Sequence, residues 1–371
     1  MPRNFRVAYL AHSFRSDWNN GNAHFLRGLM RSMVSLGHDV HIFEPCTAWS
    51  IEHLRQEEKG DAALRQFSST YPELQITAYT EAQLHDLKYW HSALRDREIV
   101  ILHEWNPPEL ARILLETRDH LGFRLLFHDT HHRASSSPEQ IHRFRLEEFD
   151  GILAFGSALR QIYRERLRTE YVWTLHEAAD TGIFRPHPHQ VRADDVIWIG
   201  NWGDDERAAE IRTFLLNPAA QLTDRTFVVY GVRYPAQALT ELETAGVQYR
   251  GYLPNLDAPS AYGAARLTLH IPRQQYAIAL TGIPTIRIFE ALACGIPLIC
   301  SPWQDTEALF REGDYLIANN AEEMKNAIHY LLEDRAAANA QALRGLETIL
   351  ARHTCAHRAL ELTCICKELV P

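Results

Sequence analysis

The feature that most restricts this chain is a rhythm. Short runs rich in β-branched and aromatic residues alternate with longer amphipathic ones, and the series runs twice. "FRVAYLAH" (5–12) reads as a strand. The following segment, 22–37, spaces Phe25, Leu26, Leu29, Met30, Met33 and Val34 as one helical face and ends at Gly37. "HDVHIFEP" (38–45), "EIVILHE" (98–104), "FRLLFHD" (123–129) and "FDGILAFG" (149–156) continue the pattern, each followed by a helical stretch. The rhythm lapses over 181–194, a proline-bearing segment without periodicity that reads as a linker. It then restarts with strands at 195–200, 226–231, 247–252, 266–272, 295–301 and 314–318, and closes in a long helical run over 320–368.

Strands alternating with helices, and apolar on both faces, demand a parallel sheet covered on each side. The expected fold is α/β: two Rossmann-like domains facing a cleft. Residues 1–182 would form the first domain and 193–352 the second, with the segment from about His353 to the end (353–371) crossing back onto the first. At 371 residues the chain is long enough for two cores. Open sheets of this kind bind ligands beyond the carboxyl ends of their strands, so the chemistry belongs in the loops just after strands.

Composition excludes several classes. A formal net charge of -9 leaves no basic footprint for nucleic acid. No window of about 18 apolar residues offers a membrane-spanning helix, and the first residues lack the apolar core of a signal peptide. A peripheral membrane contact stays compatible with this. Six cysteines are scattered, two of them (Cys294 and Cys300) in an apolar segment, which points to a reducing cytoplasm rather than a disulfide framework.

The segment "TIRIFEALACGIPLIC" (285–300) is the most informative. A helix from about Thr285 to Cys294 carries small residues for close packing, Gly295 ends it, and Pro297 opens a strand. Backbone N–H groups around Thr285 and Ile286 are positioned to meet an anion such as a diphosphate. Glu290 lies too far inside to cap the helix. It reads either as the acceptor for two hydroxyls of a ribose or as the partner of Arg287 in an i, i+3 ion pair. Gly200 and Asn201 form a loop after the first strand of the second domain, without a G-x-G-x-x-G fingerprint. "HDTHHRASS" (128–136) brings His128, Asp129, His131 and His132 to a strand end, with no ligand spacing that requires a metal. Gly21 sits in a polar loop where backbone can approach a phosphate.

"FEALACGIPLI" resembles the signature of group-1 glycosyltransferases with the two-domain GT-B fold. "GNAHFLRGLMRSMVSLGHDVHIF", "RLLFHDTHH" and "AADTGIFRP" resemble further family segments in the expected order. The resemblance implies a sugar transferred from a nucleotide-diphosphate sugar to an acceptor, with retention and without a metal or other cofactor. It implies donor contacts from Glu290 (ribose), Arg207 (diphosphate), and Gly251 and Tyr252 (base), with His128 in the catalytic region; by position, Arg273 at a strand end reads as a residue facing the donor, and Asp129 as one that orients His128 or binds the acceptor. Typical members carry a second glutamate eight residues before the ribose-binding one; here Gly282 stands there. "GIPTIRIFEALACG" is similar to the spore-maturation glycosyltransferase-like branch, in which Arg287 would face the donor phosphates. Two alternatives stay open: a nucleotide-sugar epimerase of the same fold, and a non-catalytic sugar-nucleotide-binding partner subunit.

Overall fold

The computed structural model describes residues 3–168, 171–187 and 190–370. The part of the expected linker at 188–189 lies outside the described residues. The chain divides into two compact units, Met1–Glu177 with Cys355–Pro371, and Ala178–Thr354.

The first unit is built on a parallel seven-stranded sheet, in the order β3-β2-β1-β4-β5-β6-β7. Its strands are β1 (Arg6–Leu10), β2 (Asp39–Pro45), β3 (Gln75–Tyr79), β4 (Ile99–His103), β5 (Arg124–Asp129), β6 (Gly151–Ala154) and β7 (Val172–Thr174). Every residue of β4 and β6 is buried, as expected of strands covered on both faces. One strand has no counterpart in the sequence reading, β3. It and β7 are the sheet's two edges, and their "QITAY" and "VWT" are only partly buried. The helix Ala23–Ser35 buries Phe25, Leu26, Leu29, Met30 and Met33, the face its spacing anticipates.

The long helical run at the end resolves into three helices, Ala321–Glu333, Arg335–Arg352 and Cys355–Leu369. Asp334 starts the second by accepting a hydrogen bond from the Ala337 N–H at 2.9 Å, an N-cap worth about 1 kcal/mol. The third packs on helix Ala23–Ser35. Thr363 Oγ1 meets Met33 Sδ at 3.7 Å and His38 Nε2 at 2.9 Å.

The second unit holds a parallel six-stranded sheet, in the order β10-β9-β8-β11-β12-β13. Its strands are β8 (Asp194–Ile199), β9 (Phe227–Tyr230), β10 (Val247–Tyr249), β11 (Ala265–His270), β12 (Leu298–Cys300) and β13 (Leu316–Ile317). Val196, Trp198, Ile211, Leu267, Met324 and Ile328 belong to one buried cluster. Each such side chain contributes about 1.5–3 kcal/mol through burial.

Both sheets reverse their order of winding at one place. In the first, β1 lies between β2 and β4; in the second, β8 lies between β9 and β11. At such a reversal the connections leave in opposite directions and open a crevice beyond the strand ends. The loops after β1 and β4, and after β8 and β11, are therefore where each unit can hold a ligand.

Candidate functional site

In the second unit, β8 and β11 deliver Gly200 and Arg273 to the same sheet end. Asn201 Oδ1 accepts the Val232 N–H at 3.0 Å, and Tyr234 donates to the Gly200 carbonyl at 2.8 Å. A Cβ on Gly200 would come within 2.7 Å of the Trp198 ring, so glycine is required where this loop folds over the indole.

Arg207 follows at the start of the short helix Ala208–Ile211. Its guanidinium lies 5.5 Å from the Trp198 ring centroid and donates to the Ile271 carbonyl at 3.3 Å. Its Nε is buried without a partner, and among the described residues no carboxylate pairs with it. Burial, followed by the nearby charges of Arg273 and Arg287, pulls its pKa down to about 10. Three arginines thus converge here. Arg273 is paired with Glu206 and Arg287 with Glu290; of the three, Arg207 has no ion-pair partner among the described residues.

Helix Ile286–Ala293 begins in this region, with Thr285 as its N-cap residue and no side chain capping its first turn. Thr285 Oγ1 instead meets His270 Nε2 at 2.9 Å. Burial and Arg207 lower the His270 pKa to about 3, so the imidazole is neutral at ordinary pH. A neutral imidazole adds no counter-charge beside the arginines, and the positive end of the helix stays open to an anion.

Glu290 is fully buried and ion-paired with Arg287; Tyr262 Oη lies at 3.4 Å and Asn255 Nδ2 at 3.5 Å. The pair with Arg287 exists, but on a buried carboxylate rather than a solvated one. Gly251, just after β10, has φ +72° and open space around its Cβ position, and the half-buried Tyr252 follows it. Gly282 has φ +92°, and a Cβ there would lie 2.0 Å from Thr306 Oγ1. The departure from the usual glutamate is therefore built into the loop: Thr306 fills the space a side chain would need.

In the first unit, the ends of β1, β4 and β5 converge. His103 and His128 are register partners on adjacent strands. His128 is fully buried; its Nδ1 lies 2.8 Å from Tyr9 Oη and its Nε2 has no partner. Burial lowers its pKa to about 3. Asp129 does not orient it. Successive strand residues face opposite sides, and Asp129 instead accepts from Tyr163 Oη at 2.5 Å and the His131 N–H at 2.9 Å. His103 bonds Thr130 Oγ1 at 3.1 Å, and burial with neighbouring His128 holds it well below its usual pKa. Glu104 is fully buried and ion-paired with Arg133; burial and Asp129 push its pKa up. Gly21 lies in the loop before helix Ala23–Ser35, and the adjacent Asn22 donates to the Thr130 carbonyl at 3.4 Å.

Among the described residues no group of three His, Cys, Asp or Glu side chains is arranged to hold a metal ion, and all six cysteines are free. No helix among them is long and apolar enough to cross a membrane. Sequence reasoning did not single out His270, Tyr262, Asn255, Tyr9 or Thr306. Only His270 carried a usable signal, as the polar residue ending an apolar strand.

Residues 208–363 match the family described as "Glycosyl transferase-like". Solved structures share the fold over nearly the whole chain. A glycosyltransferase from Rickettsia africae matches with TM-score 0.69 and 11% identity, covering 99% of each chain. HepE from Anabaena, solved with UDP-glucose, matches with TM-score 0.70 and 13% identity, covering 99% of each chain. Sucrose-phosphate synthase from Thermosynechococcus elongatus matches with TM-score 0.69 and 14% identity, again covering 99% of each. No curated protein matches the chain in sequence. The chain shares the fold of these glycosyltransferases over nearly its whole length, and residues 208–363 match the sequence model of the glycosyl transferase-like family.

Proposed function

We propose that the chain transfers a sugar from a nucleotide-diphosphate sugar to an acceptor, with retention of anomeric configuration and without a metal ion. The second domain takes the donor and the first the acceptor. The carrying observation is Arg207, a guanidinium with a buried, unpartnered Nε and no ion-paired carboxylate among the described residues, set near Arg273, Arg287 and an uncapped helix start. A cation left uncompensated is costly unless an anion completes it. A diphosphate does so, and HepE, of the same fold, was solved with UDP-glucose.

In this reading Glu290 binds the ribose hydroxyls, exchanging part of its bond to Arg287, which turns to the phosphates. Gly251 and Tyr252 flank the base, while Gly200 and Asn201 bring backbone close to the phosphates. In the reaction, an acceptor hydroxyl oxygen bonds to the anomeric carbon as the bond to the diphosphate breaks. The hydroxyl proton passes to the departing phosphate oxygen. Negative charge grows on that oxygen, and Arg207 with the amides near Thr285 and Ile286 stabilises it. His128 and Asp129, both enclosed, act as positioning residues beneath the acceptor surface.

The test is thermal-shift screening of the chain against UDP-, GDP-, ADP-, CMP- and dTDP-sugars. A specific donor at a hundred times its Kd stabilises by about 2.7 kcal/mol. Arg207→Met should abolish that shift and lower turnover about 10²–10³-fold, while the unliganded protein melts no earlier because a buried unpaired charge is gone. EDTA should leave wild-type turnover unchanged. Equal donor shifts in Arg207→Met and wild type would overturn the assignment.

A further inference from the structure

The first domain displays two indoles at its strand ends. Trp49 opens the helix Trp49–Leu54 after β2, and Trp105 follows β4; they are 41% and 39% exposed. Tryptophan is ordinarily among the more buried side chains, so two half-exposed rings at one sheet end call for an occupant.

Between them, after β1, stands His12. Its ring centroid is 6.2 Å from that of Trp49, nearly parallel at 23°, and 6.2 Å from that of Trp105. Behind it His103 stacks at 6.0 Å. His12 is only 7% exposed, and its buried Nδ1 has no hydrogen-bond partner. The Arg133 guanidinium covers Trp105 at 4.0 Å, and His131 approaches its edge at 4.9 Å. The surface is therefore aromatic, with hydrogen-bonding groups set between and around the rings.

This pattern separates two kinds of acceptor. An acyl chain or a membrane surface needs contiguous aliphatic area. The other large exposed apolar residues described in this domain are Leu36, Tyr171 and Leu360. Leu36 precedes β2, Tyr171 precedes β7, and Leu360 lies on helix Cys355–Leu369, so none adjoins the indoles at the carboxyl ends of the strands. A pyranose ring has the opposite demands: an apolar C–H face that packs on an indole, and a rim of hydroxyls that needs donors and acceptors.

We infer that the acceptor is a saccharide, held by stacking on Trp49 and Trp105 with His12 and Arg133 reaching its hydroxyls. This deepens the reading that the first domain takes the acceptor, and rests on it.

The test uses the full chain on a glycan array and in tryptophan-fluorescence titrations with maltose, cellobiose, lactose and chitobiose in the presence of UDP. At least one saccharide should bind saturably. Trp49→Ala and Trp105→Ala should each weaken it at least 10-fold, and Trp105→Phe should recover most of the loss. The acceptor KM should rise in step while the donor KM is unchanged. Absence of saccharide binding, saturable binding to vesicles of anionic phospholipid in its place, or saccharide affinity untouched by both alanine variants would overturn the inference. The nucleotide-sugar thermal shift is read separately, so failure of the donor assignment shows there and not in the saccharide titration.

Discussion

Two parallel sheets with the same reversal of winding present opposite chemistry at equivalent places. Beyond β8 and β11 the second domain gathers Arg207, Arg273 and Arg287 around a neutral His270. Beyond β1, β4 and β5 the first gathers His12, His103 and His128 with Glu104, Asp129 and Arg133. The backbone decides where a ligand can sit; the side chains decide its charge. In the proposed reading the second domain takes the anion. In the first, imidazoles held neutral by burial, and acids paired or raised in pKa, leave a polar but weakly charged surface. An uncharged polyol fits it better than a phosphate does.

The comparison can be pressed hardest at Arg133. It is the ion-pair partner of Glu104, a carboxylate with no solvent exposure. Arg133→Met leaves that carboxylate buried and unpaired, a change costing about 3–5 kcal/mol, with the lower end expected because Arg133 partly reaches water. The sign of the pH dependence follows from Glu104. Its folded pKa is raised above the unfolded one, so the folded state takes up a proton as pH falls and recovers stability. The urea-midpoint difference between variant and wild type should be greater at pH 9 than at pH 5.5. An equal difference at both would mean Glu104 does not depend on Arg133 for its charge.

A smaller effect separates the domains by acid response. His270 has a folded pKa of about 3, below the usual 6.5. Between those values the unfolded chain binds a proton that the folded one refuses, so stability is lost as pH falls below 6.5. In the first domain the lowered histidines are opposed by Glu104 and Asp129, whose raised pKa values act in the other sense. His270→Gln should therefore remove about 2 kcal/mol of the stability lost between pH 6.5 and 5, read by urea denaturation at both. A variant with the wild-type acid response would show that His270 is not held neutral.

Much of this was legible in the residues, and for a physical reason. Interior strands such as "VILH" must be apolar on both faces, so they stand out. The edge strands β3 and β7 are half-exposed and carry no such signal. The break at Asp334 was hidden because the helices on either side are both amphipathic. Glu290 was legible as a carboxylate inside an apolar helix. Its partners Tyr262 and Asn255 were not, since they come from separate elements joined only by folding. Asp129 follows His128 in the strand and so faces the other side, where it meets Tyr163 rather than the imidazole. Gly282 was visible as a departure from the family pattern, but Thr306, the residue that closes the gap, lies in another loop.

The smallest effect tests whether compensation, rather than proximity, ranks the arginines of the donor side. Arg273 and Arg207 lie close enough for the charge of one to lower the pKa of the other. Arg273 is half-buried and already paired with Glu206, which in turn accepts from Gln275 Nε2 at 3.0 Å. A phosphate competing for Arg273 must displace that carboxylate, whereas at Arg207 it displaces nothing charged. Removing Arg273 also frees Glu206 near the site, adding mild repulsion that salt and water screen. Arg273→Gln should therefore weaken nucleotide-sugar binding only a few-fold by isothermal titration, roughly 1 kcal/mol, with part of the loss recovered in Arg273→Gln/Glu206→Gln. A loss as large as that of Arg207→Met, with no recovery in the double variant, would mean that Arg273 leaves Glu206 when the donor binds and carries the diphosphate equally.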